Sequence, residues 1–218
     1  PRQVHDQIRR VPGAFDSLAR GAMAIRTLSP RFPIAARCTV QSANAARLRE
    51  TVAAARAIRM NSISFLAADL TSAAFNRVEG WTDTRRSSVA PELAALENEI
   101  EALIENYPPD GFVLESPAKL RRIVAHFRAH VGLEEPVAPR CNAPWVSAVL
   151  ETNGDVRPCF FHAPIGNTAA GNLSQILNGP AAIAFRQSLD IENNPICKGC
   201  VCSLYRPESN RIASVSSA

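Results

Sequence analysis

The placement of cysteine constrains this chain more than any other feature. Five of its six cysteines lie beyond residue 140, at Cys141, Cys159, Cys197, Cys200 and Cys202. Cys159 closes a Gly-x4-Cys segment that opens at Gly154, and Cys197 and Cys200 form a tight C-x2-C. Soft thiolates gathered in fours hold iron–sulfur clusters or zinc, so this part of the chain must bring distant sulfurs together. A zinc ribbon presents two similar short knuckles, each turning a pair of sulfurs toward the ion. Only one knuckle exists here, and Cys141 must reach Cys159 across a hairpin. That asymmetry favours a cluster held by one knuckle and two single ligands, while leaving zinc open. Lys198 and Gly199 fill the knuckle, where Gly199 is expected to let the backbone turn its N–H groups toward sulfur. Cys202 is left over as a buried thiol, an alternative ligand or a redox thiol.

The 218 residues, 46% of them hydrophobic, suffice for a sizeable core in one domain or two smaller ones. The net charge of +4 rests mostly on arginines scattered along helical stretches, such as Arg47, Arg49, Arg56 and Arg59, and aromatic residues make up only 6%. A nucleic-acid partner is therefore poorly supported. No apolar run approaches the ~18 residues of a membrane span, and no basic-then-apolar leader opens the chain. The expected compartment is the cytoplasm, where reduced, clustered cysteines serve metals more often than disulfides. The chain begins with Pro1 and opens in mid-pattern, so it is expected to be processed or a fragment.

Two textures follow one another along the chain. In the first, a helix is expected over Ala14 to Ala24 and a strand over Pro33 to Val40. A helix capped by Asn44 comes next, with Leu48, Val52, Ala55 and Ile58 on one face, and then a strand over Ser62 to Ala68. This alternation predicts a parallel sheet buried on both faces. A loop with Gly80, Trp81 and Asp83 leads to an amphipathic helix from Pro91, with Glu92 beside its positive end, stopped by Tyr107 to Gly111. A further helix is expected over Pro117 to His130. Residues 132–140 have the composition of a linker. After it, the segment from Trp145 to Cys159 predicts a β-hairpin turning at Asn153-Gly154. Short helices with Ser174 as candidate cap, the cysteine knuckle and a disordered Ser/Ala-rich tail complete the chain.

These residues carry a family resemblance. "CNAPWVSAVLETNGDVRPC", "GNLSQILN", "FRQSL" and "NPICKGC" resemble the auxiliary-cluster domain of radical SAM enzymes, the SPASM domain, in its shortened one-cluster or Twitch form. The opening "VHDQIRRVPGAFDSLARGAMAI" is similar to the stretch after the fourth strand of the radical SAM partial barrel. "ARCTVQSANAARLRETVAAARAIRMNSISFLAADL" is similar to its fifth and sixth strands with the helix between.

The resemblance implies an α/β chain: a partial (β/α) barrel fragment with following helices over 1–131, a linker over 132–140 and a small α+β domain over 141–206. That domain would consist of a β-hairpin plus short helices, with a tail over 207–218. It implies that Cys141, Cys159, Cys197 and Cys200 hold an auxiliary [4Fe–4S] cluster. Arg37 would meet the carboxylate of S-adenosylmethionine, and Phe65 would pack near its adenine. The family's C-x3-C-x2-C motif does not occur in this sequence, where Cys38 stands alone. S-adenosylmethionine and a second [4Fe–4S] cluster are therefore expected only in a full-length enzyme, and the chain alone is expected to be inactive. A small-molecule or peptide substrate and an electron donor such as a flavodoxin or ferredoxin are the implied partners. The alternatives are a stand-alone iron–sulfur electron-transfer protein and a zinc-stapled binding module. His126 and His130, four apart on one helix, and His5 with Asp6, expected on a loop at the barrel mouth, are secondary candidates.

Overall fold

The computed structural model describes residues 1–70, 72, 91–106 and 110–207. The loop around Gly80 to Asp83, part of the expected stop at Tyr107 and the tail from 208 onward lie outside the described residues. The chain is mixed helix and strand, and it divides into two units: Pro1–Leu70 with Gly80–Pro136, and Thr71–Glu79 with Val137–Ala218. No helix among the described residues is long and apolar enough to cross a membrane.

In the first unit, α1 (Arg2–Arg9) and α2 (Ala14–Leu28) lead into β1 (Ala35–Val40). A 3-10 turn and α3 (Leu48–Ala57) then cross over to β2 (Ser62–Ala67), which pairs with β1 in parallel. The register sets Arg37 beside Ser64 and Cys38 beside Phe65. One face therefore carries Ala36, Cys38, Val40, Ile63, Phe65 and Ala67, and the other Ala35, Arg37, Thr39, Ser62, Ser64 and Leu66. The apolar face is the core side: Val40, Ile63, Phe65 and Ala67 are buried. On β1 the alternate residues Ala35, Arg37 and Thr39 are exposed, so the strand is not buried on both faces as its apolar content suggested. The far edge of β2 is covered by the chain at Phe112 to Leu114, through Ile63 N–H to Phe112 O (2.7 Å) and Leu114 N–H to Ile63 O (3.0 Å).

Two helices close this core. In α4 (Leu93–Asn106), Leu96, Ile100 and Leu103 are fully buried, as is Phe127 of α5 (Pro117–His130). Each such side chain contributes about 1.5–3 kcal/mol relative to exposure. Helix α4 starts two residues after Pro91, and Glu92 is its cap: the carboxylate accepts from Ala94 N–H and Ala95 N–H at 3.0 and 2.8 Å. Buried Glu99 accepts from the Arg49 backbone N–H and from its guanidinium, which ties α4 to α3. Asn44 is a latch inside the core rather than a helix cap. Its side chain accepts from Gln41 N–H and donates to Thr39 O and the Cys38 sulfur.

In the second unit, α6 (Ala143–Val146) is a single helical turn where a strand was expected, because Pro144 sits in its first turn. The hairpin follows as β3 (Val149–Leu150) and β4 (Asp155–Arg157), and β5 (Gly166–Asn167) adds a third antiparallel strand. Gly154 has φ +87°, the left-handed conformation its turn requires. Asn167 reaches back over this turn, donating to Asn153 O and to Asp155 Oδ1. Helix α7 (Leu173–Asn178) is capped by Asn172 and not Ser174, in a reciprocal capping box with Gln175. Helix α8 (Pro180–Ser188) follows, and α9 (Pro195–Lys198) is the cysteine knuckle.

The last described residues return to the start of this unit. Asn142 N–H donates to Leu204 O at 2.8 Å, Asn142 Nδ2 donates to Arg206 O, and Arg206 N–H donates to Asn142 Oδ1. The Arg140 guanidinium stacks 3.7 Å from the Tyr205 ring centre.

Candidate metal centre

Three short elements position four of the cysteines of the second unit. Cys141 precedes α6, and its sulfur accepts from Ala143 N–H at 3.4 Å. Cys159 follows β4, whose Val156 is fully buried and anchors the strand end. Cys197 and Cys200 flank the end of α9. Asn194 caps that turn, its side-chain oxygen accepting from Ile196 N–H at 3.0 Å and Cys197 N–H at 3.2 Å. Gly199 lies at φ −77°, in the right-handed region, so the knuckle does not use its conformational freedom. The N–H groups of Gly199 and Cys200 serve the backbone, bonding Pro195 O and Cys197 O.

The sulfurs act on one another. Burial pushes the Cys197 thiol up to about 11, and the neighbouring Cys159 and Cys141 add to the rise. Burial likewise pushes Cys200 up to about 12, followed by the effects of Cys202, Cys159 and Cys141. Cys197 and Cys200 therefore resist ionisation first because they are buried and then because neighbouring thiols disfavour a further negative charge. All are free thiols, partly buried. Among the described residues, no group of three or more Cys, His, Asp or Glu side chains converges as a holder for a single metal ion. The donor chemistry, all sulfur and mutually coupled, fits an iron–sulfur group. Cys202 is used through its backbone: its carbonyl accepts from the Cys200 thiol at 2.9 Å.

His162, which the sequence reading does not single out, lies against this set. It is 6% exposed, and its Nε2 lies 3.5 Å from the Cys197 sulfur. Its ring packs edge-on against Phe185, 5.0 Å between centres, and burial lowers its pKa. The one signal in the sequence is its position three residues after Cys159.

The remaining candidates fall in the first unit. Arg37 and Phe65 are on opposite faces of the β1–β2 sheet, so this sheet does not bring them together. Phe65 is 4% exposed, in the core, and its N–H donates to Glu115. Arg37 is on the exposed face, and its charge acts on Glu115, whose carboxyl is raised chiefly by burial. His5 and Asp6 are not on a loop but on α1, where the Asp6 carboxylate holds Gly13 N–H and Phe15 N–H at the start of α2. Burial lowers the His126 pKa to about 4, and its Nε2 is buried without a hydrogen-bond partner. Cys38 is a core thiol, pushed by burial up to about 11.

Residues 141–201 match the family model of the SPASM domain, an iron–sulfur cluster-binding domain. The match spans the Cys141, Cys159, Cys197 and Cys200 positions and is consistent with a SPASM-type auxiliary domain of a radical SAM enzyme. No curated protein and no solved structure matches the chain.

Proposed function

We propose that this chain is the C-terminal portion of a radical SAM enzyme, in which Cys141, Cys159, Cys197 and Cys200 hold an auxiliary [4Fe–4S] cluster. The observation that carries the proposal is the SPASM match over residues 141–201, which covers all four thiols, with Cys141 and Cys159 among the neighbours that act on Cys197 and Cys200 in the fold. A cluster of this kind supplies a one-electron acceptor or a point that positions substrate. The protein's own part is to hold sulfur in place. Asn194 fixes the Cys197 backbone, and the three-stranded sheet carries Cys159.

On this reading the first unit is part of a (β/α) barrel. The parallel β1–α3–β2 crossover supports it, as do the polar residues Arg37, Thr39, Ser62 and Ser64, which share one sheet face with Ala35 and Leu66 and are suited to lining an interior that receives polar ligands. Arg37 on that face would meet the carboxylate of S-adenosylmethionine as a bidentate donor. The radical chemistry belongs to the whole enzyme, with S-adenosylmethionine and a second [4Fe–4S] cluster bound through residues beyond these. A cytoplasmic setting, a small-molecule or peptide substrate and a flavodoxin or ferredoxin donor complete the proposal.

The test is anaerobic reconstitution with iron and sulfide. The expected result is about four irons and four sulfides per chain with a broad absorbance near ~400 nm, lost in Cys197→Ser and in Cys200→Ser. One tightly held zinc without sulfide would overturn the reading.

A further inference from the structure

We propose that His162 donates a hydrogen bond from Nε2–H to the Cys197 sulfur and thereby raises the reduction potential of the group that Cys197 holds. The inference rests on the iron–sulfur reading above and adds to it a positioning residue outside the four cysteines.

The geometry carries it. His162 is buried, and its Nε2 is 3.5 Å from Cys197 Sγ, within the range of a hydrogen bond to sulfur. Two contacts hold His162 there, one on its ring and one on its backbone. The Phe185 ring meets it edge-on, and Arg157 Nη1 donates to the His162 carbonyl at 2.9 Å. Arg157 is itself paired with Glu151 across the hairpin at 2.9 Å, so the strand that delivers Cys159 also sets the depth of His162.

In the free thiol, either partner can carry the shared proton. Once iron replaces the thiol proton, the sulfur has none to give, and the contact survives only if the imidazole donates. A donor aimed at a ligating sulfur stabilises the more electron-rich, reduced form of a cluster, and burial strengthens that effect. The direction follows: removing the donor lowers the potential.

The experiment uses the full chain, reconstituted as above, with iron and sulfide counted first. Failure of the wild type to bind a cluster overturns the parent reading and leaves no cluster for His162 to tune. With the cluster bound, a redox titration compares wild type with His162→Gln, which keeps an N–H donor, and His162→Phe, which keeps an aromatic ring against Phe185 but cannot donate. The expected result is a near-wild-type potential in the Gln variant. In the Phe variant the reduction equilibrium falls about tenfold, equivalent to ~59 mV for one electron. An accompanying shift of the Fe–S(Cys) stretching band marks the lost bond. Equal potentials in all three proteins overturn the proposal. So does nitrogen coupling from a directly bound imidazole in the reduced wild type, which would make His162 a ligand. So does failure of a folded Phe variant to retain iron, which would make its role structural.

Discussion

Asn194 offers the sharpest test of how the knuckle is built. Replacing it with alanine removes the acceptor of two N–H groups, those of Ile196 and Cys197, at 3.0 and 3.2 Å. Loss of a helix cap costs ~1 kcal/mol, within 0.5–2, and each net hydrogen bond is worth about the same. The two N–H groups sit in a one-turn helix whose other bonds, Lys198 N–H to Asn194 O and Gly199 N–H to Pro195 O, survive the change. A local loss of about 1.4 kcal/mol is therefore expected, a factor of ten in any opening equilibrium. Hydrogen exchange resolved at single amides reads it directly. Ile196 and Cys197 should exchange about tenfold faster in Asn194→Ala, while Val156, anchored in the sheet, is unchanged. Asn194→Asp keeps the acceptor oxygen and should keep the protection. With a cluster bound, loss of this support should weaken iron retention against a chelator by about 10–100-fold. Unchanged exchange at both amides in the alanine variant would refute the reasoning, because the turn would then be held by something other than its cap.

Other expectations test the frame around the centre. Gly154→Ala places a Cβ 2.7 Å from Thr168 Oγ1 and 2.9 Å from Asn167 Oδ1 at a backbone φ of +87°. It should cost about 1–3 kcal/mol in hairpin stability and reduce iron loading at a fixed iron concentration. Arg49→Met strands the Glu99 carboxylate, which is 7% exposed, and urea titration should show a loss of about 2–4 kcal/mol that Arg49→Met with Glu99→Gln partly restores. His126 gives a pH dependence. Its pKa falls from 6.5 to about 4 on folding, mainly through burial, so the unfolded chain takes up a proton over that interval while the folded chain does not. Stability is thus full above pH ~6.5 and falls by about 3 kcal/mol as pH drops toward ~4. His126→Phe should flatten that part of the profile in paired urea titrations.

The sequence signalled some elements strongly and others only by competition. Helix α5 reads clearly because Ser116-Pro117 is a strong start and Leu120, Ile123, Val124 and Phe127 keep one face. The β1–β2 pair was legible as parallel strands, but the polar positions gathered on one of their faces were hidden by their overall apolar content. The alternation of Arg37 and Thr39, and of Ser62 and Ser64, held that information. The start of α7 was contested between Asn172 and Ser174, and the reciprocal partner Gln175 decided it. Trp145 and Val146 look like strand residues, but Pro144 one step earlier begins a helical turn. At the centre, spacing singled out Cys141, Cys159, Cys197 and Cys200 as candidates. It could not name His162, whose approach to Cys197 depends on how β4 and α8 pack around it in space.

The return of the chain at Asn142 has a consequence for the order of assembly. Bringing residues about 60 positions apart together costs roughly 3–4 kcal/mol of chain entropy in a free polypeptide. Here the pairing of Asn142 with Leu204 and Arg206, and the stack of Arg140 on Tyr205, hold the two ends of the cysteine series by bonds that involve no metal. The inorganic core does not have to fold its own container. The polypeptide can be completed first and loaded afterwards, and a chelator that strips the core should leave the socket standing for refilling.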